Sequence, residues 1–479
     1  MSEFRTFVLR RLASIGPRYL PFADVATAEV PLSRLLRLSL FQITVGMALV
    51  LLVGTLNRVM IVELDVPATL VAGMLALPLL FAPFRTLIGF KSDTHRSALG
   101  WRRVPYIWKG TLYQFGGFAI MPFALLVLSG YGEAINAPEW IGLTSAALAF
   151  LLVGAGVHMV QTVGLALATD LVADEDHPKV VGLMYVMLLI GMVLSALVYG
   201  ALLQNYSPGR LIQVIQGTAV LTVGLNLLAL WKQEARDRGR AAQMETAKHE
   251  TFKSAWKGLT NRPGAKRLLV LIGLGTFGFG MADVLLEPYG GQALGFSVSQ
   301  TTLLTAILAG GTLVGFALAA RVLSRGGAPT RMAIAGAAIG VPGFLAIILS
   351  ASLGGPLVFM AGTFASGLGA GLFGHATLTA TIRSAPEGRV GLSLGAWGAV
   401  QATCAGIGVA MAGVVRDILV TWSGKMGLQP ETPYNVVFTM EISFLVLAIL
   451  VALPLVVARR NGPQHQAEPT PHRNSVEVS

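Results

Sequence analysis

The chain has 479 residues, of which 54% are hydrophobic and only 12% are charged, and its formal net charge is +11. Soluble proteins carry about 25% charged residues, so this chain has too little polar surface to coat a water-soluble globule of its size. The composition excludes a soluble protein and predicts a polytopic α-helical membrane protein. Long, continuous apolar runs, rather than alternating ones, argue against a transmembrane β-barrel.

Twelve segments reach the length of about 20 mostly apolar residues that a membrane-spanning helix needs. In chain order these predicted spans are 37–60, 66–88, 104–128, 141–169, 180–203, 211–231, 267–289, 300–320, 331–352, 355–381, 390–415 and 435–458.

The predicted spans divide the chain into five regions. Residues 1–35 are expected to be a cytoplasmic segment with a short amphipathic helix, and 36–231 the first six-helix half. Residues 232–266 are a charged linker, 267–458 form the second half, and 459–479 are a polar, Pro-containing tail that is expected to be disordered.

Basic residues set the orientation of these spans. If the N-terminus is cytoplasmic, 31 of the 35 Lys and Arg residues fall in the cytoplasmic segments. This asymmetry follows the positive-inside rule and predicts that both termini are cytoplasmic. The positive charge is thus explained by topology, and no nucleic-acid recognition motif accompanies it.

The two halves resemble each other in sequence. The stretch GLALATDLVADEDHPKVVG ends the fourth span, and GHATLTATIRSAPEGRVG ends the tenth in a similar way. Parallel six-span halves related by an axis along the membrane normal are typical of the major facilitator superfamily. We therefore expect an all-α membrane protein of that superfamily, with twelve transmembrane helices.

A dense charge cluster lies between the second and third spans, in GFKSDTHRSALGWRRVPYIWKG. Gly89 and Asp93, followed by Gly100, Arg102 and Arg103, resemble the loop motif of major facilitator proteins, although Gly100 comes about four residues later than in the usual pattern. The basic residues are expected to hold the loop inside, and Asp93 to pair with them or to cap a helix. A topological anchor and a docking surface for assembly partners are both compatible with this cluster.

The amino-acid sequence of this loop is typical of a narrower family than the superfamily motif indicates. GFKSDTHRSALGWRRVPYIWKGTLYQFGG, LPLLFAPFRTLIGFKSD and QTVGLALATDL resemble the PucC/LhaA family of photosynthetic bacteria, which are also described as bacteriochlorophyll delivery proteins. The resemblance implies an assembly factor for light-harvesting antenna complexes in the bacterial inner, intracytoplasmic photosynthetic membrane. It implies bacteriochlorophyll as cargo or bound pigment, and antenna polypeptides as partners, with pigment-synthesis or protein-insertion machinery and membrane lipids as further contacts. The long N-terminal segment favours the LhaA branch, which serves the core antenna, over the peripheral-antenna branch.

Charged residues inside apolar spans are candidates for function. Arg58 in the first span and Glu287 in the seventh lie at nearly equal depth, at about 1.5 Å per residue, and Asp283 shares a helix face with Glu287. We hypothesise a gate in which Arg58 pairs across the halves with Glu287 or Asp283. The alternative is three charges exposed to water at the outer membrane interface.

Two histidines fall in repeat-related spans, His158 in the fourth and His375 in the tenth. Neutral imidazole is a suitable axial ligand for the magnesium of bacteriochlorophyll. Gln161 is a further polar candidate for pigment contact. A flat macrocycle fits against small residues, but small residues beside a polar group are equally typical of helix packing. The glycines concerned are Gly154, Gly156, Gly369, Gly371 and Gly374.

Features of an enzyme are absent from the sequence. It contains no phosphate-binding loop, zinc-protease motif or nucleophile elbow, so we expect neither catalysis nor a bound nucleotide. Cys404 is the single cysteine, which excludes a multi-cysteine iron–sulfur cluster.

The main alternative function is a proton-coupled facilitator of a small molecule, and a second is a scaffold that binds antenna polypeptides without pigment. The few acids within the spans, Asp283, Glu287 and Glu441, argue against the transporter.

Overall fold

The computed structural model is all-helical in the part of the chain that it describes. These residues are 27, 30–80, 88, 92, 101, 103–130, 134, 136–173, 176–234, 260–353, 355–384, 390–427 and 429–460. Within them, eleven helices are long and apolar enough to cross a membrane, and a shorter apolar helix begins at Ala68. The chain is therefore a multi-pass membrane protein.

We number these helices α1 to α12 in chain order. Their bounds are Leu32–Glu63 (α1), Ala68–Leu80 (α2), Val104–Leu128 (α3), Glu139–Thr169 (α4), His177–Leu202 (α5), Pro208–Leu230 (α6), Ala265–Gln292 (α7), Val298–Ser324 (α8), Pro329–Leu353 (α9), Pro356–Ser384 (α10), Val390–Met426 (α11) and Thr432–Arg460 (α12). We call the face at which α1 begins and α12 ends the terminal face, and the other the opposite face.

Local sequence signals explain several helix ends. The Ser207 side chain accepts a hydrogen bond from the backbone N–H of Arg210 at the start of α6. Ser297 and Gln300 form a reciprocal capping box at the start of α8. Gly326 follows α8 with a φ of +90°, a left-handed conformation that glycine adopts without strain and that stops the helix.

The helices pack in the same way within each half. In the first half α1 packs on α5, and α3 packs on α4 and α6; in the second half α7 packs on α11, and α9 packs on α10 and α12. The two halves meet where α2 contacts α11 and where α5 contacts α8. This duplicated pattern is what the sequence repeat predicts for two parallel six-helix halves.

Two helices that face the other half depart from regular geometry. Helix α1 contains two π-helical segments, Val50–Leu56 and Val59–Glu63. Helix α7 is α-helical over Ala265–Gly280, makes a single 3₁₀ turn at Ala282–Val284 and resumes at Leu286–Gln292. Such interruptions often mark functional sites, and here they lie at similar depth in repeat-related helices.

The helices follow the predicted spans closely. Helix α3 matches its predicted bounds, and most others begin or end within a few residues of them. The largest difference is in α11, which continues to Met426 instead of ending at 415. Arg416 lies just beyond residue 415 and is buried within the helix. Its contacts, described below, explain why the helix tolerates this charge. The predicted amphipathic helix near the N-terminus and the polar C-terminal tail lie outside the described residues.

Candidate functional site

The break in α7 brings a buried carboxylate of α12 to the backbone. Because the helix is interrupted, the N–H of Ala282 has no helical acceptor, and it donates instead to a carboxylate oxygen of Glu441, with an N to O distance of 2.5 Å. Glu441 has no exposed surface. The adjacent side chain of Asp283 is exposed, although it lies well inside α7. Two acids therefore lie at the interruption.

Arg58 forms a second cluster, nearer the opposite face. Its side chain is 4% exposed, and its guanidinium forms an ion pair with Glu63 of the same helix. A second nitrogen donates to the backbone carbonyl of Phe296 in the other half, at 2.9 Å. Tyr206 lies beside this pair, and burial raises the pKa of its hydroxyl, with the Glu63 charge acting in the same direction.

Neither Glu287 nor Asp283 forms an ion pair with Arg58 in the conformation that the structure describes. Glu287 instead accepts a hydrogen bond from Thr305 of α8, and its carboxylate fills the space beside Gly54 on α1. The local reason is that the π-turns of α1 bring Glu63 within reach of the Arg58 guanidinium. Arg58 does bridge the halves, but through a backbone carbonyl.

Further hydrogen bonds join the halves around these residues. They run from the Asn57 amide to the Val284 carbonyl at 2.8 Å, between the Thr55 and Thr302 hydroxyls at 3.1 Å, and from the Ser299 hydroxyl to the Gly200 carbonyl at 2.6 Å.

A third polar cluster connects α11 to both halves. The Asp417 carboxylate accepts from the backbone N–H groups of Ala68 and Thr69, at 3.3 and 2.6 Å, and so caps the start of α2 across the half boundary. The neighbouring Arg416 donates to Asp417 at 2.8 Å and to Gln292 at 2.7 Å. The charge on α11 is thus neutralised by an adjacent acid.

Arg103 is the residue of the predicted loop motif that the structure describes; Gly89, Asp93, Gly100 and Arg102 lie outside the described residues. Its side chain is 7% exposed and forms an ion pair with Asp170 at the end of α4, at 3.1 Å. It also donates to the Ser92 hydroxyl at 2.7 Å, and its backbone N–H donates to Glu234. Arg103 therefore connects the start of α3 with the end of α4 and with the segment that follows α6, at the terminal face.

The structure separates the pigment-ligand candidates by their surroundings. His158 and Gln161 lie on α4 and His375 lies on α10, all partly buried. The His375 ring packs on the Phe316 ring of α8, with centroids 4.2 Å apart, and its Nδ1 is buried without a hydrogen-bond partner among the described residues.

Most glycines near these histidines serve helix packing. Gly154 contacts Pro78 of α2, Gly156 contacts α3, Gly369 contacts α9 and Gly371 contacts α8, so neighbouring helices cover these four glycines in this conformation. Gly374, beside His375, faces open space. Among the five glycines, Gly374 is the one at which the described structure leaves open space, and a pigment contact at either histidine stays a prediction.

Sequence reasoning missed several partners. Glu63, Asp170 and Glu234 lie at or just beyond helix ends, and Asp417 lies just beyond the predicted end of its span at 415. At such positions a charged residue has an ordinary solvent-exposed explanation. For Asp417 the sequence did contain a signal, because Arg416 and Asp417 are adjacent at the end of an apolar run. A charged residue at such a position needs a local partner.

The fold has close counterparts among solved structures. A bacterial homologue of the human lysosomal transporter Spinster, in an inward-facing and occupied conformation, superposes with a TM-score of 0.65 at 16% identity, over 89% of this chain and 96% of that one. A likeness at this identity shows the fold alone. It confirms the expected major facilitator architecture.

The comparison with curated proteins is closer. A protein called PucC from Rhodobacter capsulatus is 70% identical over 461 residues, which is 96% of this chain and 99% of the relative. A protein of the same name from Rhodovulum sulfidophilum is 65% identical over 418 residues, covering 87% and 92% of the two chains. The family model described as PUCC protein matches residues 55–460. This chain belongs to the PUCC protein family.

Proposed function

We propose that the chain is an assembly factor for bacterial light-harvesting antenna complexes, which binds bacteriochlorophyll and presents it to antenna polypeptides within the membrane. The observation that supports this most strongly is the 70% identity, over 96% of the chain, to a relative called PucC. Within the family that the sequence resembles, this name belongs to the branch serving the peripheral antenna. The comparisons give no support to the core antenna, and we propose the peripheral antenna instead.

The proposed role needs no catalysis by this chain. The described residues contain no cluster of three or more His, Cys, Asp or Glu side chains that could hold a metal ion. The chain supplies a membrane-embedded frame of two halves, and the chemistry required of it is binding and release. The positive-inside pattern supports a cytoplasmic location for the terminal face, with Arg103 and its partners.

His375 is the best-supported contact for the pigment. A bacteriochlorophyll macrocycle is flat and apolar, and its magnesium accepts one axial nitrogen ligand. His375 offers a buried imidazole nitrogen without a partner among the described residues, an aromatic neighbour in Phe316 and open space beside Gly374. His158 lies beside glycines that are covered by neighbouring helices, so we assign it the lesser role.

The two histidines form a matched pair of variants. We expect His375→Ala to lose most of the bacteriochlorophyll that copurifies with the full-length protein, and His158→Ala to retain it, with both proteins equally abundant in the membrane. Pigment retained in His375→Ala would remove this residue from the site without removing the assembly role.

The assembly role has its own test. Disruption of the gene in its photosynthetic host is expected to lower the absorbance of the peripheral antenna, and the restored gene to recover it. Unchanged absorbance of both antenna complexes would contradict the proposal. Loss of the core antenna alone would contradict the choice of the peripheral complex.

A further inference from the structure

We propose that Glu441 and Asp283 form a proton-binding pair at the break in α7, and that uptake of a proton favours the unbroken helix. This site lies apart from His375 and from the loop that contains Arg103, and it does not depend on the pigment. The ligand is a proton, which binds reversibly to a carboxylate oxygen.

Glu441 supports the proposal through its burial and its unused oxygen. The side chain is fully buried on α12, and one carboxylate oxygen accepts the N–H of Ala282 at the break. The other oxygen has no hydrogen-bond partner among the described residues. A buried carboxylate with a free oxygen is either charged at a high cost or neutralised by a proton.

No cation within the described structure is paired with these two acids. The break is packed against α1, α11 and α12. The basic groups on these helices near the break are Arg58, which pairs with Glu63, and Arg416, which pairs with Asp417. The other acid nearby, Glu287, accepts a hydrogen bond from Thr305.

Two neighbouring acids without a cation repel each other when both are ionised. Asp283 is next in sequence to Ala282, whose N–H binds Glu441, so both acids lie at the same break in α7. Ionisation of the fully buried Glu441 is costly, and a second negative charge on the neighbouring Asp283 adds to that cost, so the two acids hold one proton in preference to two negative charges. We therefore treat the pair as one site for one proton.

The same contact links the proton to the shape of α7. In an unbroken helix the Ala282 N–H would donate to the carbonyl of Gly278, four residues earlier. In the structure the Glu441 carboxylate takes the place of that carbonyl. A charged acceptor binds an N–H more strongly than a neutral one, so an ionised Glu441 favours the break, and a protonated Glu441 favours the continuous helix.

The chain contains its own reporter for this movement. Cys404, its single cysteine, lies on α11 and is partly exposed. Its sulfur packs against α7 at Gly273, where an added Cβ would be 3.2 Å from it. A change in the bend of α7 alters this packing and hence the rate at which a maleimide reaches the thiol.

Two measurements on the purified full-length protein test the proposal. In infrared pH titrations, we expect a protonated-carboxyl band in the wild type that titrates at lower pH, or is lost, in Glu441→Gln and in Asp283→Asn. Glu441→Gln keeps an oxygen acceptor for Ala282, and Asp283→Asn leaves Glu441 itself intact, so the two variants disturb the fold differently. Glu139→Gln, at an exposed acid that begins α4, should leave the band unchanged.

Labelling of Cys404 tests the conformational link. We expect the ratio of the wild-type to the Glu441→Gln rate to be near one at low pH and to depart from one by at least twofold as pH rises. Ionisation of the thiol itself cancels in this ratio. An infrared band that is unchanged in both variants would overturn the proton site, and a ratio that stays constant with pH would overturn its coupling to α7. Neither result bears on antenna assembly.

Discussion

The guanidinium of Arg58 in the first half donates a hydrogen bond to the backbone carbonyl of Phe296 in the second, over 2.9 Å. This contact lies near the opposite face, as do the hydrogen bonds from Ser299 to Gly200 and from Ala68 to Asp417. The cross-half hydrogen bonds that have both partners among the described residues all lie toward this face. They hold it closed in the conformation that the structure shows.

Replacement of Arg58 by leucine should weaken this closure. The variant loses the bond to Phe296 and the partner of Glu63, and hydrogen bonds to charged groups contribute about 2 kcal/mol each. Because two such contacts are lost, we expect the free energy of unfolding in detergent to fall by about 2–4 kcal/mol. Arg210→Leu, at an exposed arginine at the same face, should change it little. Equal effects of the two substitutions would show that the contact to Phe296 contributes nothing.

Asp417 caps α2 from the other half, so its loss should loosen the boundary between the halves. We expect Asp417→Ala to lower the free energy of unfolding by at least about 1 kcal/mol, the cost of a lost helix cap, and by more because the buried Arg416 also loses its counter-charge. Asp417→Asn keeps one acceptor oxygen and should lie between the wild type and the alanine variant. Chemical denaturation of the purified variants measures the difference. An asparagine variant as unstable as the alanine variant would indicate that charge, rather than capping, matters at this position.

Close approach of α11 to α2 depends on Gly413. An added Cβ there would collide with the backbone carbonyl of Ala68 and with the side chain of Ala72. Gly413→Ala should therefore destabilise the protein by about 1–3 kcal/mol, the usual cost of overpacking. Gly398→Ala is the matched control, because it lies on the same helix and faces open space, and it should be neutral or slightly stabilising. Equal stability of the two variants would contradict the close packing.

The fold could be predicted from sequence to a large extent, and the site only in part. Apolar runs and the distribution of basic residues are set by the membrane itself, so they predicted twelve helices and their order. Glu287 was correctly placed near Arg58 in depth, but the π-turns of α1 decide which acid reaches the arginine. Such local departures from helical geometry depend on packing and leave no pattern in a single sequence.

The loop motif was likewise predictable from the sequence only in part. The charge of Arg103 indicated a cytoplasmic connection, but its partner Asp170 lies 67 residues later at the end of another helix. Only the packing of α3 on α4 brings the two together.

A double-mutant cycle between Arg103 and Asp170 should reveal this pairing. Arg103 is buried, so its substitution by alanine removes the guanidinium partner of the Asp170 carboxylate, whereas the backbone N–H that donates to Glu234 is kept. We expect a coupling free energy of about 1–2 kcal/mol between Arg103→Ala and Asp170→Ala, measured by chemical denaturation in detergent. Additive effects of the two substitutions would contradict a direct interaction.

Gentle purification of the tagged full-length protein from photosynthetically grown cells tests the central claim most directly. The account predicts that bacteriochlorophyll and antenna polypeptides copurify with it. A preparation without pigment or antenna subunits, together with proton-driven uptake of a soluble metabolite into vesicles, would contradict the assembly role and favour a facilitator-type transporter.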